Sequence, residues 1–148
     1  MSGKKWAVKA YGGAVNLELL DFTLPEVEQL AADAVLVKVL ATTATYTDQL
    51  IIHGNYRPCP PLPCTPGYDC IGIVLKVGKS VTNVAVGDRV ASMPQHGCYA
   101  THVVLPAHLV VKVRSDVSPE EAVSVVLTGV TAHQVNRLHP LTIPSYPS

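Results

Sequence analysis

Short apolar runs broken by turn residues dominate most of the chain, and a helical period replaces them only near its end. Ala7 to Tyr11 and Leu17 to Asp21 are two such runs around Gly12-Gly13, a pair that takes positive φ without a Cβ penalty, and they predict a hairpin. Ala34 to Ala41 is rich in β-branched residues and sets Lys38 among apolar neighbours, as expected of a strand buried mainly on one face. A helical turn is expected from Thr47 to His53. Between Tyr56 and Pro66 five prolines fix φ and remove backbone donors, which excludes a helix or a central strand and leaves an irregular, rigid surface loop.

Four further β-rich runs follow: Ile71 to Val77, Arg89 to Ser92, Ala100 to Leu105 and Leu109 to Val113. Turn signals separate them at the spacing of a barrel or sandwich. At Ser118-Pro119-Glu120-Glu121 the period changes. Serine as N-cap, proline at the first helical position and glutamate at the third form a capping box, so a helix starts there. Thr128-Gly129 is the expected interruption, after which Ala132, Val135 and Leu138 keep helical spacing until Pro140. The expected fold class is mainly β with short helices (α+β).

Composition narrows the partners. The 148 residues fit one domain large enough to bury a core. Lysine plus arginine equal aspartate plus glutamate at 11 each, so no long-range field steers the chain to nucleic acid or an anionic membrane, and small molecules or proteins are the expected partners. The uncharged stretch Ala122 to Asn136 has only 15 residues and includes Ser, Thr, His, Gln and Asn, too short and polar to cross a bilayer. The N-terminal sequence shows no apolar signal region, and Cys59, Cys64, Cys70 and Cys98 lack the Cys-x-x-Cys spacing of ordinary zinc sites. They read as reduced thiols of a cytoplasmic protein.

The segment Pro66-Gly-Tyr-Asp-Cys-Ile-Gly-Ile-Val-Leu-Lys-Val-Gly78, continuing to Gly87-Asp-Arg-Val90, resembles the glycine signature of the medium-chain dehydrogenase/reductase superfamily. Gly97-Cys-Tyr-Ala-Thr-His-Val-Val-Leu-Pro106 and Leu127-Thr-Gly-Val-Thr-Ala132 are similar to later motifs of the same family. The resemblance implies a GroES-like, partly open β-barrel over residues 1–138, followed by a helix that would lead into a Rossmann domain. That domain is expected to be absent, and residues 139–148 are expected to be a disordered tail.

Within that family the resemblance is to the zinc-free, quinone oxidoreductase type. Thr45, Tyr68 and Ser124 stand where the zinc-dependent branch has its three catalytic ligands, and no four-cysteine lobe follows Gly87-Asp-Arg-Val90, so no zinc is expected. Without a metal, developing negative charge must be met by hydrogen-bond donors. Thr45, Tyr46 and Thr47 lie where the zinc-free branch builds its active-site floor, and Tyr56 matches a pocket-lining tyrosine. These four are the candidate catalytic residues. The same threonines also read as caps of the turn before Asp48, and the tyrosine as a barrel-surface residue with a satisfied hydroxyl. Asp48 is expected to orient this loop. His53 reads as an exposed loop histidine.

Two departures bear on substrate: Ile52 replaces a common arginine and Asp69 the usual glutamate. Thr128 corresponds to a threonine that contacts the nicotinamide end of the cofactor, NADPH in the complete enzyme. No Gly-x-Gly-x-x-Gly turn is present to hold the pyrophosphate, so tight cofactor binding by this chain is not expected. The resemblance thus implies the substrate domain of an NADPH-dependent quinone or enone oxidoreductase, inactive in isolation. The alternative is a GroES-like interaction module, binding a protein partner or itself through apolar residues Val123, Val126 and Val130.

Overall fold

The computed structural model describes residues 2–138, so the expectation for 139–148 lies outside the described residues. Strands β1 (Ser2–Val8) and β2 (Leu17–Thr23) form an antiparallel hairpin in register from Ser2↔Thr23 to Val8↔Leu17. The first strand begins earlier and ends earlier than its apolar run. The pairing that extends it is polar: Lys4 Nζ reaches Asp21 Oδ1 at 2.8 Å, and Lys5 Nζ lies 5.6 Å from the centre of the Phe22 ring. Cross-strand partners of this kind leave no periodic apolar trace in one strand alone.

The main sheet contains β3 (Ala34–Ala41), β4 (Cys70–Val77), β5 (Arg89–Ser92), β6 (His102–Pro106) and β7 (Val110–Lys112). Its order is β6-β3-β4-β5-β7, every pair is antiparallel, and the sheet does not close. Helices α1 (Tyr46–His53), α2 (Pro119–Ser124) and α3 (Val126–Leu138) complete the described elements, with short 3-10 turns between strands.

Ala34, Val35, Leu36 and Val37 are all buried, so the first half of β3 is covered on both faces and not on one. It is central in the sheet, between β4 and β6, and α2 packs against it and β4. Val35, Val37, Val74, Val90, Leu105 and Val110 form the main core with Cys70 and Cys98. Gly72 lies opposite Val39 at an irregularity of the β3–β4 ladder, and a Cβ there would strike the Lys38 carbonyl. Any larger residue would push the two central strands apart.

A second cluster joins Val8, Ile51, Ile52 and Cys64, with Tyr11, Leu17 and Tyr56 packed on it. It ties the hairpin to α1 and to the proline-rich loop, whose far end is fixed by Val8 N–H donating to the Cys64 carbonyl at 2.7 Å. The loop is irregular, as its prolines require.

Ser118 caps α2 as expected: its Oγ accepts from Glu121 N at 3.1 Å, and Glu121 Oε2 accepts from Ser118 N at 3.1 Å. The break falls at Val125 and not at Thr128-Gly129. Ser124 Oγ donates to the Glu121 carbonyl at 2.7 Å and Thr128 Oγ1 to the Ser124 carbonyl at 2.6 Å, back-bonds that compete with the helical ladder at this step. Val123 is buried on α2, so it does not belong to the exposed apolar face expected of it. Val126 is half-buried, and Val130 is exposed as expected, together with Val125 and Val135. Among the described residues no helix is long and apolar enough to cross a membrane.

Ile51 is fully buried at the centre of the second cluster. Ile51→Ala should lower unfolding stability by about 2–5 kcal/mol in urea denaturation, whereas Val15→Ala, on a side chain 90% exposed, should stay within about 0.5 kcal/mol. Equal effects of the two changes would show that the cluster does not hold α1 in place.

Candidate functional site

The site is built on the turn into α1. Asp48, on the first turn of α1, is buried, and its two oxygens face different segments. Oδ2 accepts from Thr45 N and from Thr45 Oγ1, each at 2.8 Å, and Oδ1 accepts from Gly67 N at 2.9 Å. The carboxylate therefore caps the helix and holds the Pro66-Gly67 turn beside it. Gly67 has φ 102, and a Cβ there would collide with the Tyr99 backbone nitrogen. Only glycine brings this turn close enough to reach Asp48.

Asp69 continues the scaffold. It is fully buried: Oδ1 accepts from Thr43 N at 3.1 Å and Thr43 Oγ1 at 2.7 Å, and its backbone carbonyl accepts from Thr42 Oγ1 at 2.7 Å. Oδ2 has no hydrogen-bond partner among the described residues. Tyr99 donates to the Thr43 carbonyl at 3.3 Å. Burial, and after it the Asp48 charge, pushes the Tyr99 phenol well above its ordinary range. The Cys98 thiol is likewise pushed up, first by its hydrogen bond with Cys70 and then by burial, which makes it an inert core group.

The residues expected to carry chemistry divide. Thr45 is the N-cap of α1, its hydroxyl already donated to Asp48, and Tyr46 opens the helix with 73% of its surface exposed. Thr47 is half-buried one residue on. Tyr56, after the helix, meets Tyr68: the hydroxyl oxygens are 3.3 Å apart and the rings pack edge to face at 6.3 Å and 79°. Tyr68 is the residue sequence reasoning left out of the site, although it had marked that position as a replaced ligand. Nothing in the spacing of Tyr56 and Tyr68 announces that the proline-rich loop folds back to join them.

Thr128 lies exposed on α3, its hydroxyl donated within its own helix. His53 is exposed at the end of α1. Among the described residues no three or more His, Cys, Asp or Glu side chains converge as a metal site. Two surface grooves lie elsewhere. One, of about 590 Å³, lies between Trp6, Leu19, Leu40 and Tyr99, and the other, of about 820 Å³, runs along Lys112, Arg114, Ser124 and Val126. Neither is lined by Tyr56 or Tyr68.

An open antiparallel sheet with an N-terminal hairpin, a clamped helix after its first long strand and a serine-capped helix after its last is the GroES-like fold of the medium-chain dehydrogenase/reductase superfamily. The chain belongs to the alcohol dehydrogenase GroES-like domain family, whose pattern matches residues 31–115. It is 31% identical over 123 residues to the human synaptic vesicle membrane protein VAT-1 homolog-like, spanning 83% of this chain and 29% of that protein. It is 33% identical over 143 residues to the chloroplast envelope quinone oxidoreductase homolog of Arabidopsis thaliana, spanning 90% of this chain and 43% of that protein. The Escherichia coli quinone oxidoreductase solved with NADPH superposes with a TM-score of 0.80 at 26% identity, covering 90% of this chain and 40% of that one. The chain thus spans less than half the length of each.

The tyrosine pair has a titration signature. Its mutual hydrogen bond, and after it burial, pushes the Tyr68 phenol up to about 12, and a hydrogen bond with Cys59, then burial, does the same for Tyr11. The unfolded chain releases these protons near the ordinary 10.0, so the stabilisation is complete below that pH and is lost as pH rises through about 12. Phenolate absorbance should therefore rise later in the folded chain than in urea, and coincident curves would refute the pairing.

Proposed function

We propose that this chain is the substrate-binding half of an NADPH-dependent, zinc-independent quinone or enone oxidoreductase, with Thr45, Tyr46, Thr47 and Tyr56 at the substrate and Thr128 toward the cofactor. The observation that carries it is the hydroxyl pair of Tyr56 and Tyr68, beside a helix cap made by Thr45. Of the three hydroxyls at positions where the metal-dependent branch has ligands, those of Thr45 and Ser124 already donate within the chain, so the tyrosine pair is left to meet developing oxygen charge by donating a hydrogen bond. The names of the relatives agree with this class. One Arabidopsis relative, 37% identical over 89 residues, is an NADPH-dependent alkenal/one oxidoreductase.

In such an enzyme the cofactor supplies hydride. The described residues offer no glycine-rich strand-to-helix turn to cradle its pyrophosphate, so they do not by themselves fit the whole cofactor. What they do supply is the polar edge against which a carbonyl is oriented. Asp48 fixes the Gly67 turn, and Ile52, buried in the cluster on which Tyr56 packs, brings no charge. Substrate and nicotinamide must be held together for reaction, so this chain alone turns over little or nothing. The proposed setting is the cytoplasm.

A second reading, an interaction module, draws on α3. Its 13 residues include none that is buried, and Val130 and Val135 face outward on a helix that a partner or another copy would cover.

The test is a fusion of residues 1–138 to the nucleotide-binding half of Escherichia coli quinone oxidoreductase, assayed for NADPH oxidation with duroquinone. The expected result is reduction by the fusion, insensitive to chelators, with none from the chain alone. Tyr56→Phe in the fusion should lower kcat/KM by about tenfold to a hundredfold. A folded fusion that binds NADPH but reduces neither quinones nor enones would refute the enzymatic reading and favour the module.

A further inference from the structure

The proline-rich loop carries two thiols that the substrate reading does not use. Cys59 is half-buried, Cys64 is buried, and both are free. Of the four residues between them, Pro60, Pro61 and Pro63 have φ fixed by their own rings, so little chain entropy remains to oppose closing this segment into a ring. The chain bends at Leu62 and Pro63 on its way to Cys64.

The N-terminal hairpin holds both ends of the segment. Val8 N–H donates to the Cys64 carbonyl at 2.7 Å, and Cys64 N–H donates to the Val8 carbonyl at 3.3 Å. Tyr11, in the hairpin turn, donates its hydroxyl to the Pro60 carbonyl and packs on the cluster that contains Cys64. The same hydroxyl meets the Cys59 side chain, and that bond is the main reason its phenol is pushed up to about 12. Charge on either sulfur pushes it in the same direction, so one phenol borders both thiols.

The two sulfurs differ in access. Burial, and after it the Cys59 charge, pushes the Cys64 thiol up, which leaves Cys59 as the sulfur that a small oxidant meets first. Cys70 and Cys98 are also in contact, but both are fully buried in the main core and offer no such entry.

We propose that Cys59 and Cys64 form a reversible disulfide that staples the proline-rich loop beside Tyr11. The oxidant is a hydroperoxide. The Cys59 sulfur takes its terminal oxygen as the O–O bond breaks, an alcohol or water leaves, and Cys59 becomes a sulfenic acid. The Cys64 sulfur then displaces that hydroxyl as water and the S–S bond forms. In all, two thiols give up two electrons and two protons, and the hydroperoxide takes up both. The bridge does not depend on the oxidoreductase reading.

The probe is hydrogen peroxide, added to the intact chain at neutral pH, removed with catalase and followed by unfolding in iodoacetamide. Chymotryptic cleavage after Tyr56 and Tyr68 releases a peptide whose only cysteines are Cys59 and Cys64. The expected peptide is lighter by a pair of hydrogens and carries no alkyl group, both reversed by dithiothreitol, while Cys70 and Cys98 are alkylated. In the oxidised chain neither sulfur can carry charge. The Tyr11 phenol, followed by 13C NMR of its ring with Tyr11→Phe fixing the assignment, should then titrate nearer the ordinary 10.0 than about 12. Alkylation of both Cys59 and Cys64, sulfinic acid at Cys59 beside a free Cys64, or two chains joined through Cys59 would each overturn the proposal. A bridged chain whose Tyr11 titration has not moved overturns it too, since the bridge would then form only after the loop has left Tyr11.

Discussion

Two oxygens of one buried carboxylate join two distant parts of this chain. Asp48 receives the backbone and hydroxyl of Thr45 on one side and the backbone of Gly67 on the other, so the start of α1 and the turn before β4 share one acceptor. Each such charge-assisted bond contributes about 1.5–3 kcal/mol, and losing the acceptor leaves buried donors unmet. The consequence is positional as much as energetic. Tyr68 is one residue beyond Gly67 and Tyr56 follows α1, so one group sets the backbone from which both phenols extend. Asp69 repeats the device one step further on, holding Thr42 and Thr43 at the end of β3.

Much of the fold was legible because its signals are local. Ser118 with Glu121 spells a helix start in four residues, and the prolines between Tyr56 and Pro66 exclude regular structure whatever surrounds them. Strands β4 and β5 agree with their sequence runs to within a residue because their apolar side chains enter the core. The N-terminal strand was misjudged because its first half is polar, with Lys4 facing Asp21 and Lys5 facing Phe22 across the hairpin, and carries no apolar period. The double burial of Val35 and Leu36 and the burial of Val123 depend on α2 returning to the sheet from a distant part of the chain.

The candidate site was legible as a set of motif positions and not as an arrangement. Thr45, Tyr46, Thr47 and Tyr56 were identified through family motifs, and the structure gives them unequal circumstances: Thr45 is occupied by Asp48, Tyr46 projects into solvent, and Tyr56 has a phenol partner. The partner, Tyr68, belongs to the glycine signature, where a tyrosine reads only as a substitution. The loop geometry is what brings the two hydroxyls together. Neither of the two grooves is lined by the pair, and α3 carries exposed apolar residues at Val130 and Val135.

The central claim is that the Asp48 clamp creates the Tyr56–Tyr68 pair. The most direct measurement is the nuclear Overhauser contact between the two tyrosine rings in the wild-type chain and in Asp48→Asn, which preserves shape but replaces an acceptor oxygen with an amide donor. The account requires a strong contact in the wild type that is lost or greatly weakened in the variant while the main-core resonances of Val35 and Val74 stay unchanged. An undiminished contact in Asp48→Asn would contradict it, since the pair would then be set by packing of the proline-rich loop alone.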